Sequence, residues 1–131
     1  MSKIKCPCKS GKFYQACCGR FIESSETPKT AKALMRSRYT AYTLAKIDYI
    51  VATQMGAARD GFDKIEALQW AKSVKWLKLN IKRDWFDETS KAKAFVEFKA
   101  YFQSYNGREI LHEISAFEKY DGVWFYIGKM T

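Results

Sequence analysis

All four cysteines of this chain fall within its first eighteen residues, at Cys6, Cys8, Cys17 and Cys18. A C-x-C pair followed after eight residues by a C-C pair can gather four thiolates around one ion. Four sulfur donors on one short segment suit a tetrahedral Zn²⁺, with Zn–S bonds of about 2.3 Å. Such a shell is closed and leaves no coordination position for water, so the expected role is structural rather than catalytic. The ion would fold a segment too short to have its own core. Disulfides are the alternative. Cys6–Cys8 and Cys17–Cys18 are poorly placed for them, since bridged Cα atoms lie about 4.4–6.8 Å apart, although pairing between the two clusters remains geometrically possible. The start, MSKIKCPC, lacks the apolar run of a secretory signal, so the expected location is the cytoplasm, whose reducing conditions keep thiols available for metal.

A second set of candidates lies further along. Arg36 and Arg38 sit two apart in a helical stretch and point roughly 200° from each other. Arg38 shares the face of Leu34, Met35 and Tyr42, which makes it the candidate for a buried guanidinium, with Glu97, Glu113 or Glu118 as possible partners. The expected pocket set is Arg38, Tyr42, Tyr49 and His112; Tyr39 and Trp124 could join it or fill the core. His112 is the single histidine and shares strand parity with Ile110 and Ile114, so Glu113 points to the opposite face. No glycine-rich phosphate loop, Ser-His-Asp set or paired-carboxylate signature occurs.

The elements that must hold these residues read as helices first and strands afterwards. Phe21 to Pro28 reads as a linker, with Thr27 and Pro28 as a helix start. Lys29 to about Ala45 favours a helix, and a second short one begins near Asp48 and ends by Gly56. Asp63 and Glu66 form a capping arrangement for a third, with Ile65, Leu68 and Ala71 inward. Beyond Ser73 the period falls from about 3.6 to 2. Leu77, Leu79 and Ile81 alternate with polar residues, as do Ala94, Val96, Phe98, Ala100 and Phe102 with their neighbours. Asn106-Gly107 and Asp121-Gly122 are hairpin signals between such runs. The expected class is α+β: an amino-terminal zinc knuckle over residues 1–22, then a cone-like domain over 28–131. That domain has about three helices on a curved four-stranded antiparallel sheet. Aromatic residues make up 16% of the chain, enough for a thick core.

Two segments carry a family resemblance. CPCKSGKFYQACCGRFI resembles the SEC-C zinc motif, also found at the carboxyl end of the Sec translocase motor ATPase. TAKALMRSRYTAYTLAKIDYIVAT resembles the signature of the YchJ-like family of small bacterial proteins, with weaker echoes in VEFKAYF, LHEISAF and GVWFYIGK. The resemblance implies a nuclear transport factor 2-like core, in which helices close the mouth of a strongly bent sheet. The chain departs from the pattern at Lys9, where the motif usually has glycine. AARDGF stands where relatives tend to have Thr-Arg-Pro, and a second cysteine motif common at their carboxyl end does not appear in GKMT. In the translocase motor the similar motif contacts an acidic chaperone and the ribosome.

The formal net charge is +9, and Lys3, Lys5, Lys9, Lys12 and Arg20 surround the cysteines. The first functional expectation is a non-enzymatic adaptor whose basic zinc knuckle recruits a protein or ribonucleoprotein partner. The second is a small-ligand or enzymatic pocket in the cone. The third is nucleic-acid binding, although lysines interleaved with acids read first as a solvated surface. No apolar run approaches the roughly 20 residues of a membrane span, so no membrane partner is expected.

Overall fold

The computed structural model describes residues 4–130, and Lys3 lies outside them. Four α-helices precede four strands: α1 (Gly19–Ile22), α2 (Ala31–Thr43), α3 (Ile47–Ala52), α4 (Lys64–Ser73), β1 (Lys75–Phe86), β2 (Lys93–Ser104), β3 (Gly107–Tyr120) and β4 (Val123–Lys129). The strands form one antiparallel, unclosed sheet in the order β1-β2-β3-β4. This is the expected α+β architecture, with the short α1 inside the cysteine segment. Among the described residues, no helix is long and apolar enough to cross a membrane.

Thr30, not Thr27, starts α2. Its backbone is extended and its hydroxyl accepts from the Ala33 amide at 3.0 Å, satisfying one of the amides left free at a helix start. The helix is buried over Ala31, Leu34, Met35, Arg38, Tyr39, Thr40 and Ala41 because it is covered on two sides, by the sheet and by the cysteine segment. Asp63 caps α4 as its sequence predicts, accepting from Glu66 at 3.0 Å. The expected inward stripe of α4 holds only at its carboxyl end. Ala71 is buried, whereas Ile65 is 71% exposed. Trp70 explains the difference by fixing that end, with its ring 5.0 Å from Trp76 and 5.8 Å from Phe102.

The inner face of the sheet is built on Ala94, Val96, Phe98, Ala100 and Phe102 of β2, all buried. The β2–β3 hairpin turns through Tyr105 and Asn106, setting Ser104 opposite Gly107. Residues directly opposed across an antiparallel pair share a face. Ala100, Phe98 and Val96 therefore bring Leu111, Glu113 and Ser115 inward, and Lys99 carries His112 outward. Asp121 and Gly122, at φ of 50° and 79°, make the β3–β4 turn with the double positive φ of a type I′ hairpin. Two register shifts in β1 bend its path across the sheet. The segment after α3 closes the far end: Met55 donates to the Tyr126 carbonyl at 3.0 Å and Tyr126 to the Thr53 carbonyl at 2.9 Å.

Candidate functional site

The cysteine segment folds back on itself before it meets α2. A bridge between Lys5 and Phe13 brings Cys6 N–H onto the Lys12 carbonyl at 2.8 Å, closing a loop that carries Cys6 and Cys8. The turn within it places Lys9 at φ 64° and Gly11 at φ 91°. A 3-10 turn over Tyr14–Ala16 then delivers Cys17 and Cys18 at the start of α1. Gly19 is required there, because a Cβ at that position would lie 2.7 Å from the Tyr14 carbonyl oxygen.

All four sulfurs are buried, unbridged and within 4.8 Å of one another. Cys8 Sγ is 3.6 Å from Cys17 Sγ, which is 4.0 Å from Cys18 Sγ. A tetrahedron of sulfurs about 2.3 Å from a central ion has edges of about 3.8 Å, which the 3.6 and 4.0 Å separations bracket. Within the cluster alone, contacts with Cys18 and then Cys6 hold the Cys8 thiol far below its ordinary pKa. The contacts with Cys6 and then Cys8, together with burial, keep the proton on Cys18. Each pair of thiolates about 4 Å apart would repel by about 4 kcal/mol at an effective dielectric of 20. A divalent cation removes that conflict and lets all four ionise. Hydroxyls support the sulfurs: Ser10 Oγ lies 3.2 Å from Cys17 Sγ and Thr40 Oγ1 lies 3.7 Å from Cys6 Sγ. Arg36 donates Nη1 to the Cys8 carbonyl at 2.9 Å, fastening the loop to α2.

On the other side of α2 lies a cavity of about 140 Å³ between helices and sheet. Of the four expected pocket residues, it contains Arg38 and Tyr42; Tyr39 also lines it. Tyr49 stands apart, with its hydroxyl 2.6 Å from Ser37 Oγ and burial pushing its pKa up to about 12. His112 is outside altogether: its side chain is 49% exposed and its Nε2 lies 2.7 Å from Glu97 Oε2 on the outer face. The register of β3 is the reason, and the same register places Glu113 and Ser115 in the cavity. Trp124 packs in the core.

Arg38 is buried as expected, but its partners are not carboxylates. Nη1 donates to the Ile50 carbonyl at 3.0 Å and Thr53 Oγ1 at 2.9 Å, and Nη2 donates to Gln54 Oε1 at 3.0 Å. Glu97 is engaged by Arg83 and His112, and Glu118 by Tyr120. A motif search for opposite charges misses Thr53 and Gln54, since neutral acceptors leave no charge signal in a sequence.

The family model described as YchJ, middle NTF2-like domain, matches residues 30–128. The chain belongs to the YchJ family. A UPF0225 protein of Haemophilus influenzae (strain PittEE) is 38% identical over 122 residues, covering 93% of this chain and 75% of that one. A UPF0225 protein of Geobacter sulfurreducens is 37% identical over 121 residues, covering 92% and 75%. The solution structure of a SEC-C motif containing protein from Rhodopseudomonas palustris superposes with a TM-score of 0.86 at 33% identity, covering 98% of each chain. The crystal structure of a SEC-C motif containing protein from Psychrobacter arcticus gives 0.81 at 32% identity, covering 94% of this chain and 80% of that one. In this YchJ-family chain, the match to the SEC-C structures includes the segment that gathers the four sulfurs.

Proposed function

We propose that the protein is a non-enzymatic adaptor, in which a structural zinc ion fixes the amino-terminal knuckle and the knuckle's outer face docks an acidic protein segment. A tetrahedral set of four thiolates selects zinc or iron, and zinc, which has no redox chemistry, suits a permanent staple. The observation that carries the reading is the two-sidedness of the knuckle. Its sulfurs are buried against α2, whereas Lys5, Lys9, Lys12 and Phe13 are exposed. Among the described residues, no carboxylate lies within 4.0 Å of Lys9, Lys12 or Lys46. On the same segment a groove of about 420 Å³ is lined by Ile4, Pro7, Tyr14, Gln15, Glu23, Leu44 and Lys46, with Glu23 accepting from the Tyr14 hydroxyl at 2.9 Å. The largely apolar groove, together with the unpaired Lys9 and Lys12 on the exposed face of the knuckle, complements an acidic segment that carries apolar anchors. Charge would speed encounter and buried apolar area would hold the complex.

Cysteine substitution is a poor test, because the sulfurs sit in the core that the whole fold shares. Charge reversal on the surface is cleaner. Affinity capture with the metal-loaded protein and its Lys9→Glu/Lys12→Glu variant should recover acidic proteins with the first and lose them with the second. Purified partners should bind the wild type at least about tenfold more tightly. Recovery of the same partners by both proteins overturns the reading, as does a set that disappears on nuclease treatment, which would make nucleic acid the ligand.

A further inference from the structure

The cavity beside α2 holds two opposite charges that are not paired with each other. Arg38 is buried, yet its hydrogen bonds go to a carbonyl, a hydroxyl and an amide oxygen. Among the described residues, no carboxylate comes within 4.0 Å of it. Glu113 enters the same cavity from β3. Its Oε2 accepts from Ser115 Oγ at 2.5 Å and from the Tyr126 hydroxyl at 3.1 Å, and no described group donates to its Oε1. Tyr126 spans the two poles, with its ring centre 4.4 Å from the Arg38 guanidinium carbon and its hydroxyl on Glu113. Burying a cation without a carboxylate in direct contact is costly, and packing alone would be served better by an apolar side chain.

The rest of the lining is aromatic and apolar, chiefly Tyr39, Tyr42, Trp70 and Trp76. The volume of about 140 Å³ is close to the roughly 150 Å³ of an apolar protein cavity that takes up benzene. We propose that this cavity binds a small zwitterion of the α-amino-acid class with an apolar side chain. The carboxylate meets Arg38, the ammonium meets Glu113, and the side chain lies among Tyr42, Trp70 and Trp76. A singly charged ligand fits less well. An anion on Arg38 brings like charge towards Glu113, and an amine on Glu113 brings like charge towards Arg38, beside aromatic walls that screen less than open water does. A zwitterion completes both poles with charge-assisted hydrogen bonds, and the neighbouring aromatic faces favour its ammonium.

Calorimetric titration of the metal-loaded protein tests this with four probes: L-leucine, L-phenylalanine, 4-methylpentanoate (leucine without its amine) and isoamylamine (leucine without its carboxylate). Saturable binding of at least one amino acid is expected, with each singly charged analogue at least about tenfold weaker. Glu113→Gln keeps an acceptor for Ser115 and Tyr126; it should weaken leucine about tenfold while leaving 4-methylpentanoate unchanged or tighter. Absence of saturable binding for both amino acids at millimolar concentration overturns the proposal, and so do analogues that bind as well as leucine. If Glu113→Gln does not fold, the four-probe series on the wild type decides alone.

Discussion

Single residues set the shape of the cysteine loop. Lys9 sits at φ 64°, a conformation in which a Cβ is crowded, and Gly11 two residues on at φ 91° has no such penalty. Lys9→Gly should therefore raise stability by about 1 kcal/mol, measured as an increase in the thermal midpoint of the metal-loaded protein. Gly19 makes the opposite case. Its backbone is unremarkable in φ, but a side chain there would run into the Tyr14 carbonyl and ring. Gly19→Ala should lose about 1–3 kcal/mol and loosen metal retention, because the displaced turn carries Cys17 and Cys18. A denaturant midpoint and a competition titration with a metal indicator would read both effects. An alanine variant with unchanged metal affinity would mean that the turn does not position the ligands.

At the scale of elements, α2 organises both sites, and its sequence shows this unevenly. The cysteine spacing, the helix-to-strand change after Ser73 and the two hairpin turns are local signals, and each appears where the residues place it. What was hidden is set by tertiary register. The outward face of His112 follows from Ser104 lying opposite Gly107, a pairing one residue away from making His112 internal. Ile65 fits a helical stripe by spacing, but the anchor at Trp70 leaves that end of α4 uncovered. Thr27 and Pro28 mimic the cap that Thr30 supplies, so the sequence alone places the start of α2 too early. Arg36 was likewise silent, since its acceptor is a backbone carbonyl. Arg36→Ala should cost about 1.5 kcal/mol through loss of that charge-assisted bond. The loss should appear as faster metal release to a chelator, with little change in the amide-exchange protection of β2 and β3.

For the whole molecule, the deciding fact is that the four cysteines able to hold a metal are not a separate appendage. Cys6, Cys8, Cys17 and Cys18 belong to the same buried cluster as Leu34, Met35 and Tyr39 of α2 and Leu79, Val96, Phe98 and Phe117 of the sheet. A structural zinc site contributes about 10–16 kcal/mol of apparent binding free energy near neutral pH. The entire stability of a domain is commonly about 5–15 kcal/mol. Removal of the ion should therefore unfold the whole chain in one transition rather than release a knuckle from an intact sheet. Acid should act the same way. Metal-bound thiolates carry no protons, whereas the unfolded thiols, with pKa values near 8.5, bind them, so stability rises with pH and falls as protons displace the ion. Near-ultraviolet circular dichroism during chelation, followed by far-ultraviolet spectra and hydrogen exchange of β2 and β3, would check this. Coincident loss of all three signals is expected at 25 °C. A sheet that keeps its protection after the ion has gone would show that the cone folds without its staple, and the metal would then stabilise only the surface on which the proposed partner docks.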